Sequence, residues 1–259
     1  VYKMRIAVIT GASSGIGREF ARQIPRLYKH LDEIWVIARR TERLKELEKE
    51  LHVPVRMFDS DLKRDYIYEK LEKILEREKP DIRILVNAAG YGKIGQVEAL
   101  SVSSQLGMID VNIRALTRLT CLCIPYFHKG SRILQIASAA AFVPQPGFAV
   151  YAASKSYVYS FSQALSCELR KRGIYVTAVC PGPVDTEFFS CAGGVSGSMK
   201  AAFFRNAETV VRQALLDSVK RKMVSVCGCE MKAARVGARL LPSSLLSRLM
   251  KKINEKGDY

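Results

Sequence analysis

An apolar run, Met4-Arg-Ile-Ala-Val-Ile-Thr10, breaks at Gly11-Ala-Ser-Ser-Gly15-Ile-Gly17 and passes into helical periodicity. Strand, glycine turn and helix in that order open an α/β sheet whose ligand loops lie at the strands' carboxyl ends. Glycine lacks the Cβ that would hold an anion off the backbone. The helix start adds unpaired N–H groups and a positive dipole end. The layout is that of a dinucleotide-phosphate site. Its spacing, Gly-x-x-x-Gly-x-Gly, departs from the common Gly-x-Gly-x-x-Gly fingerprint. Pro25 falls inside the following helical stretch and predicts a kink or an early helix end.

The rest of the chain alternates in the same way. Strands are expected over 33–38, 53–58, 82–86, 133–137, 174–180 and 222–228, with helices over 41–51, 65–79, 104–128, 148–172 and 206–221. No repeat or interdomain linker interrupts them. This predicts a doubly wound parallel sheet of Rossmann type, a single domain over 1–228. A short basic helical extension over 229–259 follows, which is no domain of its own and is split at Pro242. At 259 residues the chain is long enough to bury a full core, and 48% hydrophobic with 25% charged residues argues against disorder.

Seven Cys without a C-x-x-C pair read as buried small apolar residues in a reducing compartment. Three unclustered His predict no metal site. No signal peptide or spanning segment is visible, so a soluble, cytoplasmic protein is expected. A net charge of +16 invites a nucleic-acid reading. Yet residues 200–259 hold 13 Lys/Arg against 5 Asp/Glu, half of the excess, without a zinc finger or an RNA-binding aromatic motif. The reading is therefore no nucleic-acid partner, and a basic C-terminal surface suited to an anionic substrate or a membrane. Within it Leu245, Leu246, Leu249, Met250 and Ile253 form an apolar face beside Arg248, Lys251 and Lys252. Membrane contact is possible for this face; burial on the domain or across a dimer is the favoured reading.

Chemistry concentrates at Tyr151-Ala-Ala-Ser154-Lys155. Tyr151 and Lys155 share a helix face, and an ammonium beside a phenol favours the phenolate, lowering a reference pKa of about 10 toward the working range. Ser138 stands thirteen residues upstream, just beyond the apolar run 133–137. Tyr66 and Lys70 repeat the Tyr-x-x-x-Lys spacing, but the same step back reaches Val53, which has no polar handle, so a solvated helix face is the reading there. Asn112, in a helix interior, costs propensity unless it has separate work.

A strand-end Ser followed by Tyr-x-x-x-Lys, with an upstream Asn, resembles the short-chain dehydrogenase/reductase family over roughly residues 5 to 228. The glycine spacing and the preceding Thr match it too. The resemblance implies Asn112, Ser138, Tyr151 and Lys155 as catalytic residues: Ser138 orients the substrate oxygen, Tyr151 moves the proton, and Lys155 tunes Tyr151 and bonds the nicotinamide ribose. Asn112 would hold a relay water. It implies a nicotinamide cofactor held by Thr10, Gly11, Ser13, Ser14, Gly15, Ile16 and Gly17, with Asp61 near the adenine and Leu62 against its ring. Asn87-Ala88-Ala-Gly90 and Pro181-Gly182-Pro-Val184-Asp-Thr186 complete the cradle, together with Tyr151 and Lys155. NAD sites place a carboxylate at the second strand end, where this chain has Ala38 followed by Arg39 and Arg40. Two guanidiniums suit a 2′-phosphate, so NADP(H) is expected.

Gly193, Gly194 and Gly197 between Phe188-Phe189 and Phe203-Phe204 suit either a mobile lid over an apolar ligand or a plain loop. The expected activity is reversible hydride transfer on a lipophilic carbonyl or alcohol, such as a hydroxysteroid. A keto-acyl reductase and a silent NADP(H)-sensing scaffold are the alternatives. The segment Gly90-Tyr-Gly-Lys93 lacks the Gly-Ile-Thr-Arg-Asp continuation typical of fatty-acid-synthesis ketoreductases. A homodimer or homotetramer is expected from the resemblance.

Overall fold

The computed structural model describes residues 3–192 and 204–255. Among them, seven parallel strands make one sheet: β1 (Arg5–Thr10), β2 (Glu33–Ala38), β3 (Val55–Asp59), β4 (Asp81–Asn87), β5 (Arg132–Ile136), β6 (Tyr175–Val179) and, after two short strands, β9 (Val224–Ser225). Their order is β3-β2-β1-β4-β5-β6-β9. The short strands β7 (Val184–Asp185) and β8 (Arg205–Asn206) pair in a separate parallel ribbon.

Each central strand is an apolar run because helices cover both faces, so neither face can be polar. Alternate residues feed two cores. Ile6, Val8, Trp35, Ile37, Leu85 and Ile133 enter one; Ala7, Ile9, Ile34, Val36, Val86 and Leu134 enter the other. The chain winds outward from β1 in one direction to β3, then returns to lay β4 on the opposite side of β1. That reversal opens a crevice at the carboxyl strand ends, where Thr10, Ala38, Asn87 and Ser138 emerge.

Two expectations are corrected and one holds. The helix over 104–128 is composite: Val102–Ile109 is α, Asp110–Ala115 is a π turn, Leu116–Cys123 is α again, and Ile124–Tyr126 closes as a 3-10 turn. The π turn sits at Asn112, whose side chain is held from outside the helix, and Pro125 ends the α ladder. Pro25 lies in the last turn of the Gly15–Leu27 helix, which ends two residues beyond it, in line with the early end expected. Of the cysteines, only Cys123 and Cys180 are buried, while Cys121, Cys167, Cys191 and Cys229 are exposed. Cys121 and Cys167 lie on the outer faces of helices, where a small thiol needs no core.

Two helices, Cys229–Leu240 and Ser243–Glu255, follow β9. Arg235 and Arg239 reach the Tyr159 hydroxyl, and the Asn254 amide donates to the Pro146 carbonyl at 2.7 Å. The domain itself buries Leu246 of the second helix's stripe, 8% exposed, and does not cover Leu245 and Leu249, at 51% and 49%. The inward row is Leu246, Met250 and Asn254, so residues one step back on the helix turn outward. The side chain of Ile253 lies outside the described residues. No helix among the described residues is long and apolar enough to cross a membrane.

Candidate active site

Tyr151 lies in the first turn of the Ala149–Leu169 helix, buried, with its ring stacked on Phe148 at 4.2 Å and tilted against Phe188 at 5.4 Å. Ser138, just past β5, caps the Ala139–Phe142 turn by accepting from the Ala140 N–H at 3.1 Å, and its hydroxyl is near enough to the Tyr151 phenol to act on its titration. Burial pushes that phenol up to about 12, with the Ser138 hydroxyl acting against the shift. The expected lowering by Lys155 is absent here. The Lys155 Nζ is 5.7 Å from the centre of the Tyr151 ring and donates to the Ile136 carbonyl at 2.8 Å. Burial brings the ammonium itself down to about 8. At neutral pH the pair is therefore a protonated phenol beside a protonated amine, a proton-donating state.

Asn112 is fully buried and wholly engaged. Its Oδ1 accepts from the Tyr91 N–H at 3.0 Å, while Nδ2 donates to the Tyr91 carbonyl and the Ser154 hydroxyl, each at 2.9 Å. Its side chain thus clamps the Gly90–Tyr91 backbone to the catalytic helix rather than standing open to a water. A Cβ at Gly90 would strike Asn112 Oδ1 at 2.9 Å and approach Lys155 Nζ at 3.3 Å. Glycine at 90 lets all three meet. Asn87 bridges β4 to β5, donating to Gln135 Oε1 at 2.9 Å and also to Thr120 Oγ1 at 3.0 Å.

The glycine turn fits a dinucleotide phosphate. Gly11 and Gly15 take φ of +69° and +50°, a region that side-chain-bearing residues avoid. A Cβ at Gly11 would strike the Ala89 N at 2.8 Å, and one at Gly17 would run into the Gly11 carbonyl. The Thr10 hydroxyl accepts from the Ala89 N–H at 3.0 Å, fixing the turn against the strand end beyond β4. Ser14 starts the helix without a side-chain cap, and no acid stands in the first turn. The N–H groups there are left for an anion. Thr186 lies over the turn, its Cγ2 3.2 Å from where a Gly15 Cβ would be.

Residues 5–192 match the sequence profile of the short chain dehydrogenases. The chain belongs to that family. It is 34% identical over 212 residues to sulfoacetaldehyde reductase 2 of Chromohalobacter salexigens, spanning 78% of this chain and 81% of the relative. It is also 34% identical over 188 residues to mouse 17-beta-hydroxysteroid dehydrogenase type 3, spanning 70% of this chain and 60% of the relative. A short-chain dehydrogenase of Sphingobium yanoikuyae, solved in complex with NADPH, superposes with a TM-score of 0.78 at 32% identity, covering 91% of this chain and 94% of that one. The family acts on alcohol and carbonyl groups with a nicotinamide cofactor, and so does this short-chain dehydrogenase.

Other site residues fall less simply. Arg39 is exposed at the β2 end, whereas Arg40 is engaged, donating from Nη1 to Glu187 Oε2 at 2.8 Å and from Nη2 to Ser13 Oγ at 3.2 Å. Asp61 accepts from the Lys63 N–H at 3.0 Å, and Leu62 is buried in the apolar cluster of Phe58 and Tyr68. The Pro181 carbonyl accepts from the Ala139 N–H at 2.8 Å, Gly182 packs under Met231, and Val184 is buried in the ribbon. Tyr66 is 54% exposed and bonded to Ser60, apart from the site. Gly193, Gly194, Gly197 and Phe203 lie outside the described residues. Missed from the sequence are Phe148 and Phe188, which pack against the Tyr151 ring, and Ser154, Arg43 and Glu187. Ser154 carried a signal, standing inside Tyr151–Lys155; the others act through contacts far apart in the chain.

Proposed function

We propose that this short-chain dehydrogenase interconverts a lipophilic ketone and its secondary alcohol, using NADP(H). The observation that carries the reading is a buried Tyr151 phenol with the Lys155 ammonium 5.7 Å from its ring centre, at the edge of the cofactor crevice beside Ser138. When bound, the cofactor supplies or accepts the hydride. The Ser138 hydroxyl orients the substrate oxygen. The Tyr151 hydroxyl gives its proton to that oxygen in reduction and recovers it in oxidation. The Lys155 ammonium, beneath the ring, replaces the proton and holds the ribose. Asn112 positions the helix that carries both.

Arg39, Arg40 and Arg43 supply three guanidiniums at the adenosine end, and β2 ends in Ala38 without an acid; both features favour a 2′-phosphate. Phe148, Phe188 and Phe189 make the surroundings of Tyr151 apolar, which favours a lipophilic substrate, in keeping with the hydroxysteroid relative. The sulfoacetaldehyde reductase relative supports a second reading, a small anionic aldehyde. Following NADPH and NADH absorbance with steroid, keto-acyl, sugar, quinone and sulfonated aldehyde carbonyls separates the two. Turnover confined to the sulfonated aldehyde would remove the lipophilic reading. Equal use of NADH would remove the phosphate reading, and no turnover with any carbonyl would favour a silent sensor.

A further inference from the structure

Glu187 stands where the site calls for an anion. Its Oε2 is 2.8 Å from Arg40 Nη1 and its Oε1 is 3.3 Å from Arg43 Nη2. The guanidinium of Arg40 holds its carboxyl below the usual range. Arg40 in turn reaches Ser13 Oγ through Nε at 3.3 Å and Nη2 at 3.2 Å. Arg40, from the segment after β2, thus holds the glycine turn, through Ser13, and this one carboxylate together. These are the same two segments that face the pyrophosphate and the ribose of a dinucleotide.

The carboxylate belongs to a short helix, Glu187–Ala192, that is tied down elsewhere. Lys93 Nζ donates to the Cys191 carbonyl at 2.5 Å, and the Ile94 N–H to the Ala192 carbonyl at 2.9 Å. The neighbouring residue, Phe188, covers the Tyr151 ring. One end of this helix therefore bears on the cations and the catalytic phenol together.

We infer that Glu187 is an internal competitor for the cofactor's 2′-phosphate and so sets how strongly the enzyme prefers a phosphorylated dinucleotide. The inference rests on the NADP(H) reading above. Arg40 and Arg43 cannot serve a carboxylate and a phosphate at full strength together, and like charges on one pair of guanidiniums repel. Both partners of the Arg40–Glu187 pair are nearly half exposed, so the pair is weak enough to be displaced. A phosphate brings more charge and three acceptor oxygens to forked donors, and wins the exchange.

The test is calorimetric titration with adenosine 2′,5′-bisphosphate and with 5′-AMP, neither of which carries a nicotinamide or supports turnover. The proteins are the parent, Glu187→Gln, Arg40→Ala and the double variant, each checked for fold by circular dichroism. Glu187→Gln is expected to tighten the bisphosphate roughly fivefold, the worth of one exposed ion pair, and to leave 5′-AMP within twofold. In the Arg40→Ala background the gain from Glu187→Gln should shrink. A Glu187→Gln protein that binds the bisphosphate no better than the parent, or tightens both ligands alike, overturns the inference. If the parent prefers the bisphosphate while Glu187→Gln changes nothing, this inference falls and the NADP(H) reading stands. If the parent and Glu187→Gln both bind the two nucleotides equally, both readings fall.

Discussion

The Asn112 amide donates to the Ser154 hydroxyl at 2.9 Å, across 42 residues of sequence, and the same side chain pairs twice with the backbone of Tyr91. Ser154 Oγ passes the tie on to the Tyr151 carbonyl at 2.7 Å. Asn112→Ala would leave the buried Tyr91 groups unpaired, at about 1–3 kcal/mol for each buried group that finds no other partner. Urea unfolding should show that loss, and turnover should fall with it. An unchanged unfolding midpoint would mean that the clamp carries no weight.

Phe188→Ala should admit water to the Tyr151 ring and let its phenol fall from about 12 toward its ordinary 10.0. Ultraviolet pH titration of Phe188→Ala against the parent, each corrected with its Tyr151→Phe counterpart, isolates this one tyrosine. A titration that does not move would place the burial elsewhere, on Phe148 or the helix itself.

Lys155 carries a pH signature. Its folded pKa, about 8, lies below the ordinary 10.5, so the unfolded chain binds more protons between these values and stability rises with pH across that window. Below it the buried ammonium costs at most about 3 kcal/mol, partly offset by the bond to Ile136. Lys155→Met should therefore raise the melting temperature at pH 7, and the gain should fade as pH climbs through the window. A gain that grows with pH would reverse the assignment.

Adjacent leucines of the last helix should behave differently. Leu246→Ala empties a buried site and is expected to cost about 2–5 kcal/mol. Leu245→Gln with Leu249→Gln should stay within about 0.5 kcal/mol for each change, as exposed positions do. Denaturant unfolding at a concentration where the chain is monomeric decides this. A large loss in the double variant would show that the outer leucines are covered.

Much of this was legible because apolar strand runs and glycine turns are local. The strand runs, the Gly11–Gly17 turn and the Ser138, Tyr151 and Lys155 constellation needed only neighbouring residues to be read. What escaped depends on distance or on context. No spacing pairs Arg40 with Glu187, 147 residues on. Nor does the sequence around Asn112 announce a π turn, since the cause is a side chain clamped by Tyr91 and Ser154. The phenol's pKa is hidden for a related reason: Tyr-x-x-x-Lys gives shared helix-face position, but not the burial beside Phe148 and Phe188 that raises it. In the tail, five apolar residues on one face did not say that the domain covers Leu246 and leaves Leu245 and Leu249 outside.

The central claim is that the Tyr151 hydroxyl supplies the proton in carbonyl reduction. It is tested most directly by NADPH consumption in Tyr151→Phe, with a carbonyl that the parent reduces and with Tyr66→Phe as control. The aromatic stack on Phe148 survives this change, so cofactor affinity should stay close to the parent's. The rate should fall by roughly a hundredfold or more, the scale of a lost general acid, while Tyr66→Phe keeps the parent's rate. A Tyr151→Phe protein that consumes NADPH as fast as the parent would contradict the account.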